Sequence, residues 1–210
     1  FGSQTSAISA TGQYPSGDIA NVESWDGSSW TEIADVNQAR IAMGKATSIA
    51  GNSLGLLFGG GPGAKDETES WNGTAWSEVA DLNTGRRHLS GFGLSTSALG
   101  FGGETATAGS VNLVESWNGT SWTEVAEVNT GRQGGSAAGD SNTLGIYFGG
   151  GSNLLTEAWN GTAWTEVNDL AAAKNEGSGS GTSNAAFVVL GTVTEEWTVP
   201  SFTTKTFDTD

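Results

Sequence analysis

Eight of the nine tryptophans in this 210-residue chain fall into four pairs: Trp25 and Trp30 in WDGSSW, Trp71 and Trp76 in WNGTAW, Trp117 and Trp122 in WNGTSW, Trp159 and Trp164 in WNGTAW. Paired indoles at a fixed spacing do one of two jobs. An exposed indole offers a flat face on which a sugar ring stacks, and a row of such platforms makes a multivalent lectin. A buried indole fills the wedge between two sheets, removing on the order of 150–250 Å² of ring from water. The same pair recurs at the same place in every unit, whereas a ligand site usually needs asymmetry, so packing is the expected role. A lectin with one site per unit would repeat as well and stays as the alternative.

The acidic residues keep the same period. Glu23, Glu69, Glu115, Glu157 and Glu195 stand two residues before the first Trp of their units, and Glu32, Glu78, Glu124 and Glu166 two after the second. Residues two apart in a strand share a face, and carboxylates gathered on one face are the material of a Ca²⁺ site. A solvated outer edge, where charge deters edge-to-edge pairing, is the plainer expectation; no metal and no cofactor are expected. Arg40, Arg86 and Arg132 follow the second Trp by ten residues. Their planar fork suits a carboxylate, so pairing with some of these Glu is expected.

His88 is the single histidine and there is no cysteine, so neither a triad nor a His- or thiolate-based metal site can be assembled. Its counterparts in the other units are Ala42, Gly134 and Glu176. The acids track the repeat and mark no catalytic pair, so the chain is expected not to be an enzyme. The NGT triplets at Asn72, Asn118 and Asn160 match a glycosylation pattern, but turn chemistry explains them more economically. With 23 acidic against 8 basic residues and a net charge of −15, a phosphate backbone is repelled. No apolar run has the length of a membrane-spanning helix, so neither nucleic acid nor membrane insertion is expected.

These residues must be positioned by a repeated element. First tryptophans at 25, 71, 117, 159 and 197 are spaced by 46, 46, 42 and 38 residues. Each unit holds an Arg-led Gly-rich run, an apolar run ending in Gly-Gly (LGLLFGG, SALGFGG, LGIYFGG), a variable stretch, and the ESW-NG-TSW figure. Asn-Gly between alternating flanks predicts a hairpin with a type I′ turn. The apolar run predicts a strand buried on both faces, and the Gly-rich run a strand with crowded neighbours. Four short antiparallel strands in about 45 residues make a propeller blade. The chain is thus expected to be a single all-β domain of five blades, roughly 1–37, 38–83, 84–129, 130–170 and 171–210. TSAISATGQ at 5–13 aligns with TSALGFGGE at 96–104, so the first blade lacks most of its Gly-rich strand. Either an upstream segment is missing or closure is incomplete. The fifth unit is worn: Gly191 remains of Gly-Gly, Val199-Pro200 stands for Asn-Gly, and Phe202 for the second Trp.

Gly102-Gly103, Trp117, Asn118-Gly119, Trp122 and Arg132 together resemble the kelch repeat. The pattern recurs at Gly59-Gly60, Trp71, Trp76 and Arg86, and at Gly149-Gly150, Trp159, Trp164 and Lys174. Trp stands where that family usually has Tyr, the turn is shorter, and five blades are fewer than its usual six or seven. The string ESWNGTSWTEV is also similar to kelch-like repeats in proteins of marine bacteriophages thought to be virion parts. The resemblance implies a binding or structural module, virion-borne or extracellular. Its partners would be host-surface proteins or glycans, other virion proteins, or copies of itself.

Length variation shows where recognition would lie. The step from second Trp to Arg or Lys is ten in four units, but the step from the second Gly of Gly-Gly to the next Trp is 11 (60 to 71), 14 (103 to 117) and 9 (150 to 159). Loops on a rigid scaffold are where binding residues concentrate. The candidates are Tyr14, Asp18, Lys65, Asp66, Glu104, Asn112, Asn153 and Leu154.

Overall fold

The computed structural model describes residues 2–47, 52–173, 175–190 and 193–198. Its elements are strands, in five antiparallel sheets. The first is β1 (Gly2–Ser3), β2 (Ser6–Tyr14), β3 (Gly17–Trp25) and β4 (Trp30–Ile33). The second is β5 (Gly44–Thr47), β6 (Gly55–Phe58), β7 (Thr68–Trp71) and β8 (Trp76–Val79). The third is β9 (Ser90–Leu94), β10 (Ser97–Phe101), β11 (Val114–Trp117) and β12 (Trp122–Glu124). The fourth is β13 (Ser136–Ser141), β14 (Leu144–Phe148), β15 (Thr156–Trp159) and β16 (Trp164–Glu166). The fifth shows β17 (Ser178–Gly181), β18 (Ala185–Leu190) and β19 (Val193–Thr198). The sheets are the five blades of a β-propeller. Lys174, Gly191, Val199, Pro200 and Phe202, which the sequence singled out, lie outside the described residues.

The Gly-rich strands β5, β9, β13 and β17 lie side by side around the axis. Their glycines are required by the ring beside them. A Cβ on Gly44 would sit 2.2 Å from Phe58, its partner across the ladder, and one on Gly91 would sit 2.4 Å from the same ring. Phe58 therefore spans the joint between the second and third blades. The Gly-Gly pairs serve the same joints. Gly59 and Gly102 have φ of 65° and 62°, and a Cβ there would meet the carbonyls of Arg86 and Arg132 in the next blade at 2.6 and 2.5 Å. In the first blade Thr11 takes this position, with φ 62°. There the chain does not turn away but continues as the long β2–β3 hairpin.

Six tryptophans are buried between blades. Trp71 and Trp76 pack with Ile8, Val22 and Val36 of the first blade. Trp117 and Trp122 pack on Phe58 and Leu56 of the second, with the rings of Trp122 and Phe58 4.8 Å apart, edge to face. Trp159 and Trp164 pack on Phe101 and Leu99 of the third. Each pair thus faces the preceding blade, and the apolar strand of that blade receives it.

Two expectations are corrected. The Asn-Gly hairpins are not two-residue type I′ turns. Trp71 pairs with Trp76, Trp117 with Trp122 and Trp159 with Trp164, so four residues form each loop, and their asparagines are absent from the positive-φ residues. Asn72 Oδ1 instead accepts the N–H groups of Thr74 and Ala75, both at 2.9 Å, a side-chain-closed turn that Asn118 and Asn160 repeat. Nor are three of the Glu before a first Trp part of a solvated edge: Glu69, Glu115 and Glu157 are buried, while Glu23 and the Glu after each second Trp (Glu32, Glu78, Glu124, Glu166) are exposed. Arg40 donates to Glu69 at 2.5 Å, Arg86 to Glu115 at 2.9 Å, and Arg132 to Glu157. Each carboxylate also accepts the backbone and side-chain N–H of an Asn at the end of the preceding blade: Asn37, Asn83 and Asn129. A buried charge pair persists when its remaining lone pairs are also satisfied. Burial lowers the Arg86 guanidinium, while Glu115 beside it acts in the opposite direction.

Candidate functional site

The connections between the second and third strands of the first four blades hold the eight candidates, two to each connection. Tyr14 stands at the tip of the β2–β3 hairpin, 62% exposed. Asp18 accepts from Gln13 across that hairpin at 3.2 Å. Lys65 bonds Gln38 at 2.8 Å and lies 3.7 Å from Glu67, while Asp66 is exposed. Glu104 holds Arg87 at 2.5 Å, and Asn112 donates to Glu127 at 2.6 Å. Asn153 is half-buried beside an exposed Leu154. No hydrogen bond or ion pair joins any two of these eight.

Nearer the axis, residues from all five blades do converge. A cavity of about 350 Å³ opens at the axial mouth, lined by Gln13, Ile41, Met43, His88, Leu89 and Glu176 among others. Along its rim runs an open arc of backbone hydrogen bonds through the second to fifth blades. His88 N donates to Ala42 O at 2.7 Å, Gly134 N to His88 O at 2.9 Å, and Glu176 N to Gly134 O at 2.6 Å. The geometry that aims each N–H at the next carbonyl is left-handed: φ is 52° at Ala42, 52° at His88, 64° at Gly134 and 56° at Glu176. Glycine is the natural residue there, and Gly134 obeys. A Cβ in that region costs about 1–2 kcal/mol, so Ala42, His88 and Glu176 all stand against backbone preference. Their side chains meet across the mouth, His88 Nδ1 3.8 Å from Glu176 Oε1. Strain of this kind is a feature of sites where a side chain is used.

Below the mouth the channel is lined by small residues, Gly91, Ala137 and Gly179, together with Lys45. The Lys45 side chain touches solvent inside the channel but is surrounded by protein, and this desolvation lowers its amine below the ordinary lysine value.

The mouth is thus an apolar floor with an amide, an imidazole and a carboxylate above it. None of the eight loop candidates lines it. The signal for it was present in the sequence: the unit-by-unit alignment sets Ala42, His88, Gly134 and Glu176 at one position, where the side chain changes and the spacing does not. No protein-family model matches the chain, and no curated protein matches it.

Proposed function

We propose that this protein is a non-enzymatic binding module, a kelch-like propeller carried on a phage particle as an appendage, tail or decoration component. The partner is a host-surface molecule or another virion protein, engaged by the face that holds the axial mouth and the variable loops. The carrying observation is the mouth itself, where His88 and Glu176 hold left-handed positions beside an apolar floor of Ile41, Met43 and Leu89. Pockets of this make, mostly apolar with a few convergent polar groups, are default binding sites. The kelch pattern and the similarity to phage repeats support the setting. Burial of three tryptophan pairs removes those six rings from sugar stacking, which weighs against one sugar platform per blade. A free lectin binding through the mouth or loops is the second reading.

A glycan array probed with the wild-type chain and with the double variant His88→Ala/Glu176→Gln tests both. A sharp sugar specificity lost in the variant supports the lectin. Silence on the array, with capture of host-surface or virion protein that the variant loses, supports the first reading. Capture that is equal in both chains contradicts the assignment of the mouth.

A further inference from the structure

Four joints between successive blades share one design. The preceding blade offers a buried apolar residue on its second strand: Ile8, Leu56, Leu99 or Ile146. The following blade offers a Trp with a Glu two residues before it and, at the first three joints, a second Trp five residues on. At the first three joints the Glu and both indoles are buried. At the fourth, Glu195 accepts the backbone N–H groups of Ala171 and Ala172, and Trp197 packs on the cluster around Ile146.

The first and fifth blades each have one face left over. On the first blade Trp30 is 49% exposed, against 6% for Trp76, Trp122 and Trp164. Its rings lie as in the other pairs, 5.4 Å from Trp25, so the face has the geometry of the others and lacks a cover. Glu23 is exposed, and its side chain has no hydrogen bond or ion pair among the described residues. On the fifth blade, Ala186 pairs with Trp197 as Gly55 pairs with Trp71. Phe187 therefore occupies the place of Leu56, on the face that should receive a Trp pair, and it is 44% exposed. No hydrogen bond, ion pair or hydrophobic cluster joins the two blades among the described residues, although Gln13 and Glu176 approach the same mouth.

We propose that these two faces form one heterologous joint between molecules, the Trp25–Trp30 face of one copy seated on the Phe187 face of a second. The four internal joints are the template. Each seats the tryptophan side of one blade, a pair at the first three joints and Trp197 at the fourth, on the apolar second strand of the blade before it, and the two bare faces are the two halves of a fifth such joint. The occupant of each face is thus the complementary face of this same chain. A contact between unlike faces does not close on itself in a dimer and propagates head to tail. This surface is separate from the axial mouth and does not rest on the function proposed for it.

The test is sedimentation of the purified 210-residue chain by analytical ultracentrifugation over a hundredfold concentration range, with Trp30→Asp and Phe187→Asp. Both side chains are exposed, so both variants keep the fold, which circular dichroism verifies. Wild type is expected to self-associate, and each variant alone to be at least tenfold weaker or monomeric. An equimolar mixture of the two is expected to form a dimer and nothing larger, because each contributes the one intact face. A monomeric wild type across the range overturns the proposal. So does a mixture that stays monomeric, or a variant that associates as the wild type does.

Discussion

Replacing Arg86 by Met removes the cation from the joint between the second and third blades and leaves the Glu115 carboxyl group without it at 1% exposure. The carboxylate keeps the Asn83 donors at 2.7 and 2.8 Å but loses the guanidinium at 2.9 Å. The carbonyls of Gly102 and Leu113 lose their Arg86 donor at 3.1 and 2.9 Å. Glu124 lies directly across the ladder from Glu115, so two like charges then face each other without the cation. Breaking a buried pair from one side costs about 3–5 kcal/mol. For a chain of this length each kcal/mol shifts the melting midpoint by roughly 2–4 °C, so a fall of about 6–20 °C is expected in a thermal melt followed by circular dichroism. Adding Glu115→Gln removes the stranded charge, and the double variant is expected to recover at least half the loss, since replacing both partners is far less costly than removing one. A loss below about 1 kcal/mol in Arg86→Met, or a double variant less stable than the single, refutes the reasoning.

Trp122→Ala and Trp30→Ala make a matched pair. The first is expected to cost about 3–5 kcal/mol and the second under 1 kcal/mol in dilute solution, both read by urea denaturation. Burial, the first cause, pushes the Tyr147 phenol up to about 12, against a reference value of 10.0. The raised folded value means its stabilisation is complete below the unfolded value and is lost as pH rises from about 10 towards 12; ultraviolet titration of the Tyr14→Phe variant should place the phenol midpoint near 12, and a midpoint near 10 contradicts its burial. Asp26 is held down to about 2, first by the Ser28 hydroxyl and then by the backbone N–H groups of Ser29 and Ser28. The depressed folded value means this turn keeps its contribution above the unfolded carboxyl pKa and loses it as pH falls towards 2. Carboxyl-carbon NMR follows the midpoint directly, and a value near 4 contradicts the turn geometry.

The propeller was legible because period and composition agree: Gly-rich, apolar, variable and Trp-bearing segments recur in order, and each has one strand that suits it. The Arg–Glu pairing was legible too, since both residues keep the repeat. The burial of Glu69, Glu115 and Glu157 was not, because a carboxylate is normally a surface residue. The donors that make burial tolerable, Asn37, Asn83 and Asn129, come from the preceding blade. The turns were misread because Asn-Gly between tryptophans fits a two-residue hairpin, while ladder pairing at Trp71–Trp76 sets the loop at four. Loop length pointed outward to Tyr14 and Leu154. The mouth is built from residues of constant spacing, so length variation could not find it. What separates Trp30 from Trp122 is a neighbour, and local sequence does not encode it.

Buried tryptophan pairs are the wedges between successive blades. Labelling the chain with 5-fluorotryptophan, assigning its nine ¹⁹F resonances by single Trp→Phe substitutions, and measuring the shift between H₂O and D₂O reports solvent access ring by ring. Small shifts are expected for Trp71, Trp76, Trp117, Trp122, Trp159 and Trp164, and a large one for Trp30 at concentrations where the chain is monomeric. Large shifts at Trp122 and Trp164 would contradict it.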